Sequence, residues 1–308
     1  MKKSILLAII VLMSLNVFAI SKDAGVASFS FLKIKYSAKA AAMGNAFTGM
    51  VSNGEVVLYN PASLFYTNEN TITTTYNNYI DGFNGGSSVY TFPLNKKRVA
   101  IFTQFLTSDD IDKTIVDQYG NYAGKDGTFT SSDILIGCSY SSDFSPVVKL
   151  GGNLKYLYES IDGNNEHILV GDVAMIHQTP NPLLKVGASI QNIKITSSNS
   201  EKAPIVLNAG LSYHPNKKSY YNFDVYRPYY GDLSVRVGTE YMVNNFLFLR
   251  GGYKTNASDW DLGGDMSFSS GLSFGFGTSW KKFILDYAAV SYGDLGFTNQ
   301  VSISYKLQ

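Results

Sequence analysis

The 308 residues carry a formal net charge of +1, and the basic residues are scattered rather than massed, so nothing in the charge balance points to a nucleic-acid partner. Charged residues make up only 16%, against about 25% in an average soluble domain, while aromatic residues reach 14%, with 22 Tyr and 19 Phe, a surface better suited to lipid than to water. The single cysteine, Cys138, excludes an intrachain disulfide, so backbone pairing and packing must hold the chain together.

The first 19 residues, MKKSILLAIIVLMSLNVFA, place two lysines before an apolar run from Ile5 to Val17 and a small-residue site at Ala19. That pattern predicts a signal peptide over 1–19, because the run is shorter than the ~20 residues a spanning helix needs. No cysteine follows the site, which argues against lipid attachment. No linker divides the remainder, which reads as a plug segment over 20–66 and a barrel over 67–308.

Within the plug, Ser37 to Phe47 is rich in Ala and predicts a short helix, with Ala40, Met43, Phe47 and Met50 on one face. Ala38, Ala41, Ala42, Gly44 and Gly49 are small enough to let this segment sit close against surrounding backbone. Asn60-Pro61-Ala62 then imposes an extended or turn conformation, so the helix cannot run on into the first strand.

From residue 71 onward the chain alternates apolar and polar residues. In FTNQVSISYKL, Phe297, Val301, Ile303, Tyr305 and Leu307 oppose Thr298, Gln300, Ser302, Ser304 and Lys306. Strands are expected near 71–80, 87–94, 97–107, 129–141, 147–159, 166–178, 183–193, 204–214, 219–226, 232–243, 246–255, 268–279, 282–291 and 297–307. An exported chain with no other apolar run long enough for a helix can enter a bilayer only as a closed barrel, and fourteen strands fit the even count of bacterial barrels. Tight turns at Asn95, Thr179, Pro215, Asn244 and Trp280 alternate with longer connections such as those from Ser108 and Asn256. Both termini then fall at the turn end, which in such barrels is periplasmic. Tyr79, Tyr90, Tyr158, Tyr213, Tyr241, Tyr253 and Tyr305 are expected in aromatic girdles, and Cys138 shares the strand face of Ile134, Ile136 and Tyr140.

The stretch AAAMGNAFTGMVSNGEVVLYNPASL resembles the N-terminal signature of FadL-like outer-membrane barrels, in which a small-residue segment ending in Asn-Pro-Ala folds into the lumen as a plug. The resemblance implies that role for Ala42, Met43, Gly44, Phe47, Asn60, Pro61 and Ala62. The pieces YGNYAGKDGTFTSSDILIGCSYS, LKVGASIQNI, VGTEYMVNNFLFLRGGY and LDYAAVSYGDLGFTNQVSISYK together resemble the PorV/PorQ family associated with type IX secretion. One departure is the end, Leu307-Gln308, where outer-membrane barrels often finish on an aromatic residue.

Alternation also assigns charges to the lumen, because they are expensive on the lipid face. Arg236, Glu240, Arg250 and Asp286 are expected there as one charge-paired set that holds the plug, and Asn153, Lys155, Gln191, Asn208 and Asp224 share the inward phase. No catalytic constellation is found. His167, His177 and His214 have no metal spacing, and the acidic stretches at Ser108 and Asp162 match no full calcium loop. The expectation is a non-catalytic outer-membrane barrel without cofactor or metal, in contact with lipid. The PorV/PorQ resemblance implies secretion-system or secreted proteins as partners, and the alternative is a FadL-type uptake channel for long-chain fatty acids or other hydrophobic small molecules.

Overall fold

The computed structural model describes residues 28–95, 97–196, 203–255 and 269–307. The expected leader with its site at Ala19, the connection from Asn256 and the terminal Gln308 lie outside them.

Sixteen strands follow one another among the described residues: β1 (Thr71–Asn78), β2 (Asn84–Leu94), β3 (Lys97–Thr107), β4 (Ile111–Val116), β5 (Tyr122–Phe129), β6 (Ser131–Ser145), β7 (Val148–Ile161) and β8 (Asn164–Gln178) make the first half. The second half is β9 (Leu184–Lys194), β10 (Val206–Asn216), β11 (Ser219–Pro228), β12 (Ser234–Asn244), β13 (Leu247–Lys254), β14 (Leu272–Trp280), β15 (Phe283–Ser291) and β16 (Phe297–Lys306). Fourteen of them close an antiparallel barrel in which β1 pairs with both β2 and β16. The other two, β4 and β5, form a separate hairpin inside the connection that sequence reading left as loop. Because β3 pairs directly with β6, from Arg98↔Ser141 to Thr107↔Ser132, the hairpin is an appendage to the wall.

The alternation has its physical cause in this closure: one face of every strand meets the lumen and the other meets the surroundings. Ile72, Ile101, Phe105, Ile136, Leu154, Leu249, Phe274, Phe276 and Ile303 are all exposed on the outside, an apolar belt that water would not tolerate and lipid would. Cys138 is exposed on the same face. Tyr90, Tyr213, Tyr241 and Tyr253 also point outward. Tyr79 does not: its ring packs edge-on against Tyr292 at 5.5 Å, with half-buried Tyr79 turned toward the lumen, so it is no girdle residue.

The turn end is formed by the connections β2–β3, β6–β7, β8–β9, β10–β11, β12–β13 and β14–β15, and by the close of the barrel where Leu307 N–H donates to Asn70 O at 2.8 Å. The loop end is less sorted than expected, because β7 and β8 are joined there by only Asp162 and Gly163, both with positive φ. The start of the chain, expected at the turn end, lies outside the described residues. The first of those are at the loop end, where Phe29 N–H donates to Glu159 Oε2 at 3.1 Å and Lys33 Nζ to Tyr230 O at 3.4 Å.

From there the chain descends inside the wall. Its helix α1 is only Ala38–Ala42, shorter than expected, because Gly44 (φ 62°) and Asn45 (φ 58°) turn the backbone out of it. Two 3-10 segments, Gly54–Leu58 and Pro61–Tyr66, complete the descent to Thr67 and β1.

Candidate functional site

The segment from Phe29 to Leu64 circles the lumen. α1 lies against β13–β16, with Ala38 N–H donating to Ser302 Oγ at 2.9 Å. Gly44 N–H donates to Ser273 Oγ of β14 at 3.0 Å. Asp224 of β11 then takes the backbone N–H groups of Phe47 and Thr48 on one oxygen, at 2.7 and 2.8 Å. Asn222 donates to Ala46 O, Asn153 to Val57 O and Gln191 to Tyr59 O. Short polar side chains of the wall thus satisfy plug backbone groups that a lumen without bulk water would leave stranded.

The Asn-Pro-Ala turn works through Asn60. Its side chain accepts from Ala62 N–H at 3.0 Å, capping the 3-10 segment that begins at Pro61, and donates to Thr48 O and Met175 O at 2.8 and 3.0 Å. One residue therefore ties the two halves of the plug to each other and to β8. Met43 and Phe47 are fully buried, and Phe47 packs on Tyr59 with ring centroids 5.2 Å apart.

Sequence reading found small residues in the plug but missed their counterpart in the wall. Gly151, Gly187, Gly210, Gly238, Gly252 and Gly275 stand at inward positions of β7, β9, β10, β12, β13 and β14. A Cβ on Gly238 would meet Met43, and on Gly187, Thr48 O; on Gly151 it would strike Ala62. At Gly151, Gly187, Gly238 and Gly252 plug backbone sits directly on strand backbone, and at Gly210 and Gly275 the side chains of Thr48 and Ala42 close in, so the glycines form a seam. The signal was present as glycines in the polar phase of otherwise regular strands.

Of the expected charge set, the structure brings three members together. Arg250 Nε donates to Glu240 Oε2 and its Nη1 to Asp286 Oδ1, both at 2.7 Å and all three buried. The missing partner was Lys39 of α1, 3.2 Å from Glu240, which connects the plug to this cluster. Arg236 is not part of it: its guanidinium lies over the Tyr226 ring, 3.7 Å from the centroid. A second buried pair, Lys155 and Asp172 at 2.7 Å, sits where β9 bulges at Asn192.

The lumen is also less uniformly polar than the inward phase implied. Phe102, Leu106, Leu135, Leu157, Ile168 and Val170 make an apolar face on β3, β6, β7 and β8, covered by Phe31, Leu32, Val56 and Val57 of the plug.

Above the plug, at the loop end, lies a cavity of about 510 Å³. Lys35 and Ile34 are at its base, Arg236 and Lys254 on one wall, Asp133 and Glu159 on another, and Tyr79, Tyr226 and Tyr292 between them. Lys35 Nζ donates to Gln191 Oε1 at 3.2 Å. Burial, with the nearby Lys155 and Arg236 charges, pushes its amine down to about 7 against the opposing pull of Asp172. His167, His177 and His214 do not line the cavity, and among the described residues no three His, Cys, Asp or Glu side chains gather as a metal site.

No protein-family model matches the chain, and no curated protein matches it in sequence. Solved structures do match in fold. The Ralstonia pickettii toluene transporter TbuX superposes with a TM-score of 0.67 at 11% identity, over 91% of this chain and 100% of its own. The Pseudomonas putida toluene transporter TodX gives 0.60 at 12% identity, over 87% and 96%. A Pseudomonas aeruginosa FadL homologue gives 0.58 at 10%, over 89% and 98%. The protein thus has the closed fourteen-stranded architecture of FadL-like barrels.

Proposed function

We propose that the protein is a plugged outer-membrane channel, not an enzyme, that admits small molecules of partly apolar character at its loop end. The observation that carries this reading is the stacking of three parts along one axis. The cavity of about 510 Å³ lies on the plug, and Phe31, which lines it, also covers the apolar lumen face of β3 and β6–β8. Displacing the start of the plug, residues 29–42, would join the cavity to that face and offer an apolar path along the wall. The fold shared with toluene transporters supports a small-molecule cargo. In this reading residues 1–19 are a cleaved signal peptide and the turn end faces the periplasm. The secretion partnership implied by the PorV/PorQ resemblance has no support beyond that resemblance, and uptake takes its place.

The test locks the plug. In a Cys138→Ser background, Ala38→Cys with Ser302→Cys joins α1 to β16, where the Ala38 nitrogen and Ser302 Oγ are 2.9 Å apart. In a Gram-negative host whose outer membrane limits entry, the unlocked protein should speed uptake of radiolabelled toluene, the oxidised form should not, and reductant should restore it. Uptake independent of the protein would end this reading.

A further inference from the structure

The charged lining of the loop-end cavity is mixed, with Lys33, Lys35, Arg236 and Lys254 against Asp133, Glu159 and Asp232, and its cations outnumber its acids by one. Among the described residues no carboxylate oxygen lies within ion-pair distance of Lys35 or Arg236. Two further acids face other groups: Asp172 holds Lys155 at 2.7 Å, and Asp224, across the β11–β12 ladder from Arg236, accepts the Phe47 and Thr48 amides on Oδ2 alone. Arg236 stands opposite Lys254 in register, and burial first, then the charges of Lys155 and Arg236, depress the Lys35 amine. Arg236 Nε is buried and has no hydrogen-bond partner among the described residues, although a guanidinium has five donors to satisfy.

Beside this charge are aromatic faces. Tyr226 lies under Arg236, and Tyr292 packs edge-on against Tyr79 on the cavity wall. Below it the space narrows to a crevice lined by Asn45, Thr48, Tyr59 and Gln191, polar groups that give an acyl chain nowhere to go. A site with Lys35 at its base, Arg236 on its wall, rings beside them and a polar crevice below takes a compact ring bearing an anionic group.

We propose that this cavity is a binding site for small aromatic carboxylates, the carboxylate held by Lys35 and Arg236 and the ring set against Tyr226 and Tyr292. This names the cargo class of the uptake reading and rests on that reading for its physiological meaning. Asp133 and Glu159 on the other side of the mouth would repel a second carboxylate, so monoanions should be preferred over dianions.

The experiment is calorimetric titration of the purified full chain in detergent with benzoate, with benzamide, which has the same ring but no charge, and with palmitate. Benzoate should bind about tenfold or more tightly than benzamide, the difference expected for one charge-assisted hydrogen bond. Lys35→Gln and Arg236→Gln should each remove that preference, Arg236→Lys should keep most of it, and circular dichroism should show all three variants folded. Equal binding of benzoate and benzamide, tighter binding of palmitate, or glutamine variants that keep the preference would overturn the assignment. Benzoate binding in this pattern with protein-independent benzoate entry into cells would leave the site standing and remove the uptake reading. Faster benzamide entry without benzoate preference would do the reverse.

Discussion

Gly252 of β13 and Gly44 of the plug meet backbone to backbone: a Cβ on Gly252 would overlap the Gly44 nitrogen and Met43. Gly44 in turn has φ 62°, where a side chain strains the backbone, and its own Cβ would lie 2.8 Å from Tyr253 N. Neither partner can yield, because both contacts are main chain. Gly251, one residue away, faces outward, and the nearest atom to a Cβ there is Thr239 Cγ2 at 4.0 Å.

The two neighbours therefore make a controlled pair. Gly251→Val should be tolerated, whereas Gly252→Val should unseat the plug at a cost of about 1–3 kcal/mol or more, the usual range for overpacking. A bulky thiol reagent applied to Ala42→Cys in the Cys138→Ser background should label the Gly252→Val protein and spare the Gly251→Val protein. Equal labelling of both would mean that the glycine seam does not seat the plug.

The same seam shows what sequence could and could not supply. Period-two alternation reports which face of a strand a residue occupies, and it yielded the fourteen barrel strands and the inward placement of Glu240, Arg250 and Asp286. It does not report height along the strand. Arg236 is four residues from Glu240, about 13 Å at the rise of a strand, so the two share a face but not a neighbourhood. Lys39 was invisible as a partner because nothing local joins α1 to β12. The β4–β5 hairpin was missed because Asp112, Lys113 and Thr114 interrupt the apolar pattern on which recognition depends, both faces being exposed.

Arg250 is held by Glu240 and Asp286 at once, while Arg236 has no ion-pair partner among the described residues. Arg250→Ala leaves two buried carboxylates with only Lys39 in contact, so the loss should approach the ~3–5 kcal/mol of a broken buried pair. Arg236→Ala should cost far less. Urea midpoints of the two variants in detergent will compare them, and a larger loss for Arg236 would contradict the arrangement described.

Glu55 sits fully enclosed in the plug, its Oε2 without a hydrogen-bond partner among the described residues, and burial pushes its carboxyl up despite the nearby charge of Lys39. A raised folded-state pKa means that folding favours the protonated acid. The associated stability is present below the ordinary glutamate range and is lost as pH rises through the raised value. Glu55→Gln imitates the protonated form at every pH. Its thermal midpoint should exceed that of the unmodified protein at about pH 8, with the gap closing toward about pH 4 as Glu55 takes up its proton. A gap that widens on acidification would reverse the sign of this argument.

The outer hairpin offers the sharpest separation of uptake from secretion. It projects beyond the wall, with Tyr119 79% exposed and Val116 66% exposed, and touches the barrel through Lys113, 2.5 Å from Asp162 in the β7–β8 turn. Its own strands are joined by their ladder and by the Lys125–Asp112 ion pair, so it is a unit that can be removed whole. The barrel does not need it, because Ser108 N–H already donates to Ser131 O at 3.0 Å, next to the Thr107↔Ser132 pair. Replacing 110–129 with Asn-Gly, the sequence suited to a tight hairpin turn, should leave the strand signal in circular dichroism and the unfolding midpoint nearly unchanged. None of the replaced residues lines the cavity, so ligand titration should also be unaffected. If the deletion instead left titration intact but stopped delivery of proteins to the cell surface in a host with a secretion system, the hairpin would be a protein-docking element and the secretion reading would return.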